Sequence, residues 1–338
     1  MFWLLACAVL FVTGVVAARM WLFSELEKPY FNAPANEVFI EIRRGANANE
    51  IAGLLARSGI LKHSVPFRIY LRYANLGRRI QAGEYRFDRP ATPKQIARRL
   101  ISGDVYFRSI TIPEGLTVQE IVELLTKNKL GERGELERAI LKTEWIADLA
   151  PEARNLEGFL FPETYRFPRK ANSEMILKVM VDQFRHQLTR ILAQYPMQAG
   201  WSVSKIVTLA SLVEKEIKEP QEGPLVASVL INRLEKRMPL ACDATIIYAM
   251  KLAGTYEGRL GKKDMVMESP YNTYRHTDLP PGPICNAGAA AIRSALNPAR
   301  TEYFYYVSRN DGTHQFSRDL RSHLNAVNIF QRPLARRK

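Results

Sequence analysis

The stretch Ile206-Val207-Thr208-Leu209-Ala210-Ser211-Leu212-Val213-Glu214-Lys215-Glu216 is apolar for eight residues and then abruptly charged, with Pro220 soon after. Its apolar residues lie nearly all the way round a helical wheel, so the spacing predicts a mostly buried helix. Glu214 stands where the helix leaves the core. A carboxyl there is partly withdrawn from water, which disfavours its charged form and raises its pKa. Such a group holds a proton near neutral pH and can give it up, as a general acid must. The alternative is a solvated Glu in a charged tail, since Lys215, Glu216, Lys218 and Glu219 crowd the same end. Glu216 is the rival acid. Residues two apart on a helix point in different directions, so the two cannot face one cleft equally.

Helices are expected over Ser173 to Gln194, Val203 to Lys218 and Gly223 to Arg237. The last has an apolar stripe of Leu225, Val226, Val229, Leu230 and Leu234. A strand is expected over Tyr303 to Ser308, turning through Asn310-Asp311-Gly312. The class is α+β. Four polar segments follow Glu214: Ile231-Asn232-Arg233-Leu234; Asp243-Ala244-Thr245 with Tyr248; Ser269-Pro270-Tyr271-Asn272-Thr273-Tyr274; and Leu279-Pro280-Pro281-Gly282-Pro283-Ile284. The third mixes aromatic rings with amides and hydroxyls, which suits carbohydrate. The fourth is rigid, because each Pro fixes its own φ. Each taken alone is an ordinary polar loop.

In order and spacing these segments, with Asn155-Leu156-Glu157-Gly158-Phe159-Leu160-Phe161-Pro162-Glu163-Thr164-Tyr165 upstream and Gly312-Thr313-His314-Gln315-Phe316-Ser317 and His323 downstream, closely resemble the MltG family of endolytic transglycosylases (YceG-like proteins). The resemblance covers roughly residues 155 to 331, and more loosely the whole chain. It places the family's essential Glu at Glu214, in Ala210-Ser211-Leu212-Val213-Glu214-Lys215-Glu216. It implies cleavage of nascent peptidoglycan strands at the membrane face, at the bond between N-acetylmuramic acid and N-acetylglucosamine. The ends formed would be 1,6-anhydro sugars, and glycan elongation would be terminated. The substrate-binding residues it points to are Asp243, Thr245, Tyr271, Asn272, Thr273, Tyr274 and Gln315. Asn232 and Arg233 are instead expected to tie a helix to the Asp243 loop. No cofactor or metal is expected. Peptidoglycan synthases are the implied partners, and the catalytic part faces the periplasmic side of the inner membrane. Ala244, Ala287 and Ser322-His323-Leu324 depart from the family's usual residues. Two other readings stay open: a muramidase that hydrolyses with water, and a non-catalytic wall-binding scaffold.

The chain has 338 residues, 47% of them hydrophobic, and a net charge of +14. A basic balance suggests an anionic partner. No zinc-finger spacing, RNA-recognition signature or Gly-rich phosphate loop is present. Basic residues are spread through the chain, with a short cluster at Arg332, Arg336, Arg337 and Lys338. Membrane surface and cell wall fit this better than nucleic acid. Phe2 to Ala18 carries no charge, and Arg19 follows. As a helix this run is about 25 Å long, slightly short of the hydrocarbon core. Arg19 can snorkel to lengthen it. A retained anchor over residues 1–23 is the expectation; a signal peptide ending near Val16-Ala17-Ala18 is the alternative. Cys7 lies in this run. Cys242 and Cys285 sit beside segments that the family brings to one cleft. They are expected either to be bridged, as an outward compartment permits, or to be two free buried thiols.

A repeat precedes the catalytic part. Ile40 and Ile42, Gly45, Asn47-x-x-Glu50, Ile51, Leu54 and Leu55 recur 70 positions later as Ile110 and Ile112, Gly115, Thr117-x-x-Glu120, Ile121, Leu124 and Leu125. Each copy reads as a strand, a Gly turn and a helix opened by a capping box. A fainter copy is Tyr85 and Phe87, Thr92-x-x-Gln95, Ile96 and Leu100. The unit resembles half of a LysM-type sugar-binding module; a generic βα unit is the alternative. The expected divisions are a LysM-like part over 36–107, the second copy with connecting helices over 108–154, and the catalytic part over 155–332.

Overall fold

The structure is a computed structural model and describes residues 2–331. Residue 332 and the basic cluster from Arg332 to Lys338 lie outside the described residues. The chain divides into two compact units. One comprises residues 1–108 with 166–170, the other residues 109–165 with 171–338.

The first unit opens with helix α1, Phe2–Glu27. Its stretch Val9–Glu27 is long and apolar enough to cross a membrane and is almost wholly exposed. The helix runs past Phe23, the expected end, because the first helix breaker is Pro29. Strand β1, Val38–Ile42, leads through a turn with Gly45 at φ +84° into α2, Ala48–Arg57. Helix α3, Ser64–Tyr73, strand β2, Gly83–Phe87, and α4, Pro93–Ser102, follow. β1 and β2 pair antiparallel, with Ile40 opposite Tyr85. One face of this pair meets α2, α3 and α4 in a core of Ile42, Leu55, Phe67, Leu71, Phe87 and Leu100. The returning segment at 166–170 is tied to the sheet. Arg169 forks onto the Glu84 carboxylate at 2.7 Å and lies over the Phe39 ring, and Lys170 reaches Glu41 at 2.7 Å.

The second unit begins along strand β3, Arg108–Thr111, whose partner is β4, Thr164–Phe167. Between them lie α5, Val118–Lys127, and α6, Arg133–Ala139. Then come α7, Ser173–Leu192, α8, Val203–Glu216, α9, Gly223–Glu235, α10, Asp243–Leu252, and α11, Ala289–Leu296. Strands β5, Tyr305–Ser308, and β6, His314–Ser317, form an antiparallel hairpin beside α12, Leu320–Phe330. Asn310 and Gly312 take the positive φ that the hairpin turn demands. Mixed helix and sheet is thus the observed class.

All three capping boxes read from the sequence are present. Asn47, Thr92 and Thr117 each accept from the backbone three residues on, while Glu50, Gln95 and Glu120 reach back. α8 is the hub of the second unit. All eight residues from Ile206 to Val213 are buried, and the helix packs on α9, α10 and α11. Ser211 explains how a polar residue survives there. Its hydroxyl donates to the Thr208 carbonyl at 2.7 Å and accepts the Ile284 N–H at 3.0 Å. The bond seats the Pro-rich loop on the helix.

Candidate active site

α8 leaves the core at Glu214, and the two acidic residues there diverge as helical geometry requires. The Glu214 carboxylate accepts the backbone N–H of Gly288 at 3.0 Å. Gly288 is the N-cap of α11, so the acid faces a helix N-terminus. Across from it lies the Gly turn of the second βα copy. A Cβ added to Gly115 would sit 3.7 Å from Glu214 Cγ. The turn is held by paired backbone bonds, Gly115 N–H to Asn286 O at 2.9 Å and Asn286 N–H to Leu116 O at 2.8 Å. Lys215 Nζ adds a bond to Gly115 O at 3.3 Å. Burial raises the Glu214 carboxyl above the usual carboxylate range. The Gly288 N–H and the Lys215 charge oppose this, and the charge of Glu114 adds to it.

Glu216 turns the other way, toward the β5–β6 hairpin. It is also raised, first by burial; the Tyr306 hydroxyl favours its charged form, and Asp243 disfavours it. Asp243, at the start of α10, is exposed and accepts from the Tyr274 hydroxyl at 2.5 Å. Tyr271 is half-buried, its ring 5.0 Å from that of Tyr248. Gln315 accepts from Arg309 at 2.6 Å and donates to Phe316 O.

The other expected substrate residues are placed differently. Thr245, Asn272 and Thr273 are at most 1% exposed. Thr245 bonds Cys242 O and Thr273, Thr273 accepts the Cys242 N–H, and the Asn272 amide donates to Met265 O and Met267 O. Their polar groups are bonded within the protein. Asn232 and Arg233 tie α9 to the segment before β5, through Thr301 O, Tyr303 O and Phe304 O, and Arg233 also reaches Leu240 O. Cys242 and Cys285 are free and buried. Each thiol points at a carbonyl, Leu240 O and Ser211 O respectively, and burial pushes both thiols up.

Sequence reasoning missed a second carboxyl centre. Glu157 is buried among the Val118 N–H at 3.1 Å, the Asn286 amide at 3.1 Å and the Tyr248 hydroxyl at 3.2 Å. Burial pushes its pKa up to about 8. It also missed Glu114, Gly288 and Asn286. A signal for the first was in view: Glu114 occupies the repeat position held by Arg44 in the first copy.

The fold and this site define an α+β protein organised around one partly shielded carboxyl at the end of a buried helix. Residues 40–329 match the model of the YceG-like family, and the chain belongs to that family. A Bacillus subtilis protein named endolytic murein transglycosylase is 33% identical over 305 residues, spanning 86% of this chain and 83% of that one. A Streptococcus pneumoniae protein of the same name is 28% identical over 80% of this chain and 54% of its own length. The crystal structure of a YceG-like protein from Listeria monocytogenes superposes with a TM-score of 0.57 at 29% identity, covering 86% of this chain and 98% of that one.

Proposed function

We propose that this chain is an endolytic peptidoglycan transglycosylase with Glu214 as its acid. The observation that carries the reading is the half-buried Glu214 carboxyl, raised by burial and held by one N–H at the helix end. The names of its relatives support the same chemistry. Glu214 gives its proton to the glycosidic oxygen. The bond from that oxygen to the muramic anomeric carbon breaks, and its electron pair leaves with the glucosamine. The 6-hydroxyl of the same muramic acid then bonds to that carbon, and its proton returns to Glu214. One carboxyl serves twice, and no water is consumed. Asp243, Tyr271, Tyr274 and Gln315 keep surface and are assigned to the sugar cleft. Thr245, Asn272 and Thr273 support it from behind.

The apolar helix α1 is read as an inner-membrane anchor holding the catalytic part on the periplasmic side, among peptidoglycan synthases. Two helices between β1 and β2, the first opened by a capping box, support a LysM-like, glycan-binding reading of the first unit. The test is mass spectrometry of products from purified murein strands, with Glu214→Gln as control. Chiefly 1,6-anhydro ends are expected. Reducing ends carrying oxygen from labelled water would make the protein a muramidase. The observation favouring that second reading is Glu114, since a hydrolase needs a second carboxylate.

A further inference from the structure

Glu114 is exposed and enters no hydrogen bond or ion pair among the described residues. Its carboxylate nevertheless has a defined seat. A Cβ added to Gly288 would lie 1.7 Å from Glu114 Oε1 and 2.1 Å from its Cδ. Only a residue without a side chain leaves that seat open. The same Gly288 gives its N–H to Glu214 Oε2. Two carboxylates from different parts of the chain therefore meet on one glycine, and the Gly115 turn backs Glu214 from the other side. A negative charge beside Glu214 disfavours ionisation of that carboxyl.

We propose that Glu114 is a positioning residue for the acid: the exposed member of a carboxylate pair that holds its half-buried partner, Glu214, ready to protonate a glycosidic oxygen. This deepens the transglycosylase reading and rests on it. The titratable neighbours of Glu214 are few. Lys215, on the same helix, favours the ionised form, and Glu114, on the turn, opposes it. Cys285, in the loop before α11, is a thiol held neutral by burial. Removing the Glu114 charge leaves burial alone to oppose Lys215 and the Gly288 N–H. The alkaline limb of the rate profile therefore reports loss of the Glu214 proton.

The experiment is the pH dependence of kcat/KM for the full chain acting on purified murein strands. In Glu114→Gln the alkaline limb should move to lower pH. Activity at about pH 5 should be kept, while activity at about pH 8 falls roughly tenfold or more, because the acid has lost its proton. Gly288→Ala evicts the carboxylate without altering it and should move the limb in the same direction. Glu114→Asp keeps the charge and should restore the wild-type profile. A Glu114→Gln profile that superposes on wild type overturns the proposal. So does an equal loss at every pH in a folded protein, which would mark a structural role. If Glu214→Gln still cuts strands, the transglycosylase assignment itself falls. If Glu214→Gln is dead and Glu114→Gln is unchanged, only the pairing falls.

Discussion

The turn Arg43-Arg44-Gly45-Ala46-Asn47 in the first unit and the turn Pro113-Glu114-Gly115-Leu116-Thr117 in the second are the same backbone device. Both place a glycine at positive φ, +84° and +77°, and both deliver the chain into a capping box. Their surroundings differ. Gly45 is exposed, and a Cβ there would meet nothing within 4 Å. Its turn lines a cavity of about 890 Å³ with Arg68, Arg72 and Arg78. Gly115 is buried, and its turn is bonded to Asn286 and abuts the acid. The repeat fixes a shape, and the position that changes sign between copies, Arg44 against Glu114, decides what the shape is used for. A scaffold motif and a functional site are separable even where they share a turn with one glycine at positive φ and a capping box.

Substitutions in the two turns and at the buried carboxyls test this difference. The largest effect belongs to the acid. Glu214→Gln should cost about 10²–10⁴ in rate with the fold intact, read as product yield beside an unchanged circular dichroism spectrum. Next is the anchor found only beside the second copy. Glu157 is raised to about 8 in the fold from an ordinary 4.5. Between those values the folded state holds a proton that the unfolded state has lost. The stabilisation is therefore complete below about pH 4.5 and lost as pH rises through about 8. Stability measured by denaturant should fall from pH 5 toward pH 8, by at most about 1.4 kcal/mol per unit. Glu157→Gln should be flat over that range, with its deficit against wild type largest near pH 5. A wild type that gains stability across it would contradict the assignment.

Smaller effects come from the paired turns. Gly45→Ala and Gly115→Ala each force a left-handed backbone on a residue with a Cβ and should cost about 1–2 kcal/mol. Only Gly115→Ala should also slow glycan cleavage, because only that turn holds the acid's surroundings. Equal loss of activity in both would erase the distinction between the copies. Arg44→Gln should leave turnover unchanged. A drop in kcat would place the first unit in the chemistry.

Features set by neighbours in sequence were legible from the residues alone. The capping boxes, the buried face of α8 and the divergence of Glu214 from Glu216 all follow from spacings of two to four residues. The chain's α+β class followed from them. What was hidden depends on distant partners. Asn286 joins Leu116 and Glu157 across separations of 170 and 129 residues, and no local pattern announces that. Thr245, Asn272 and Thr273 carry sugar-binding chemistry in their composition, yet their groups are used internally. Only the fold reveals which polar residues are already satisfied. The meeting of Glu114 with Gly288 was equally hidden, because a glycine shows in sequence only that something is absent.

The return of residues 166–170 to the first unit bears on how this protein can be divided. Most tandem modules are joined once, so a single nick or a terminal deletion frees each half. Here a cut after Arg108 leaves Arg169 and Lys170, with the Glu84 and Glu41 pairings they make, on the fragment that carries the acid. Residues 1–108 made alone would lack that strap, and residues 109–338 would carry it with nothing to clasp. The two pieces are thus built as halves of a split protein, each holding what completes the other. For the same reason the first unit is not a cassette that recombination could exchange by a single join.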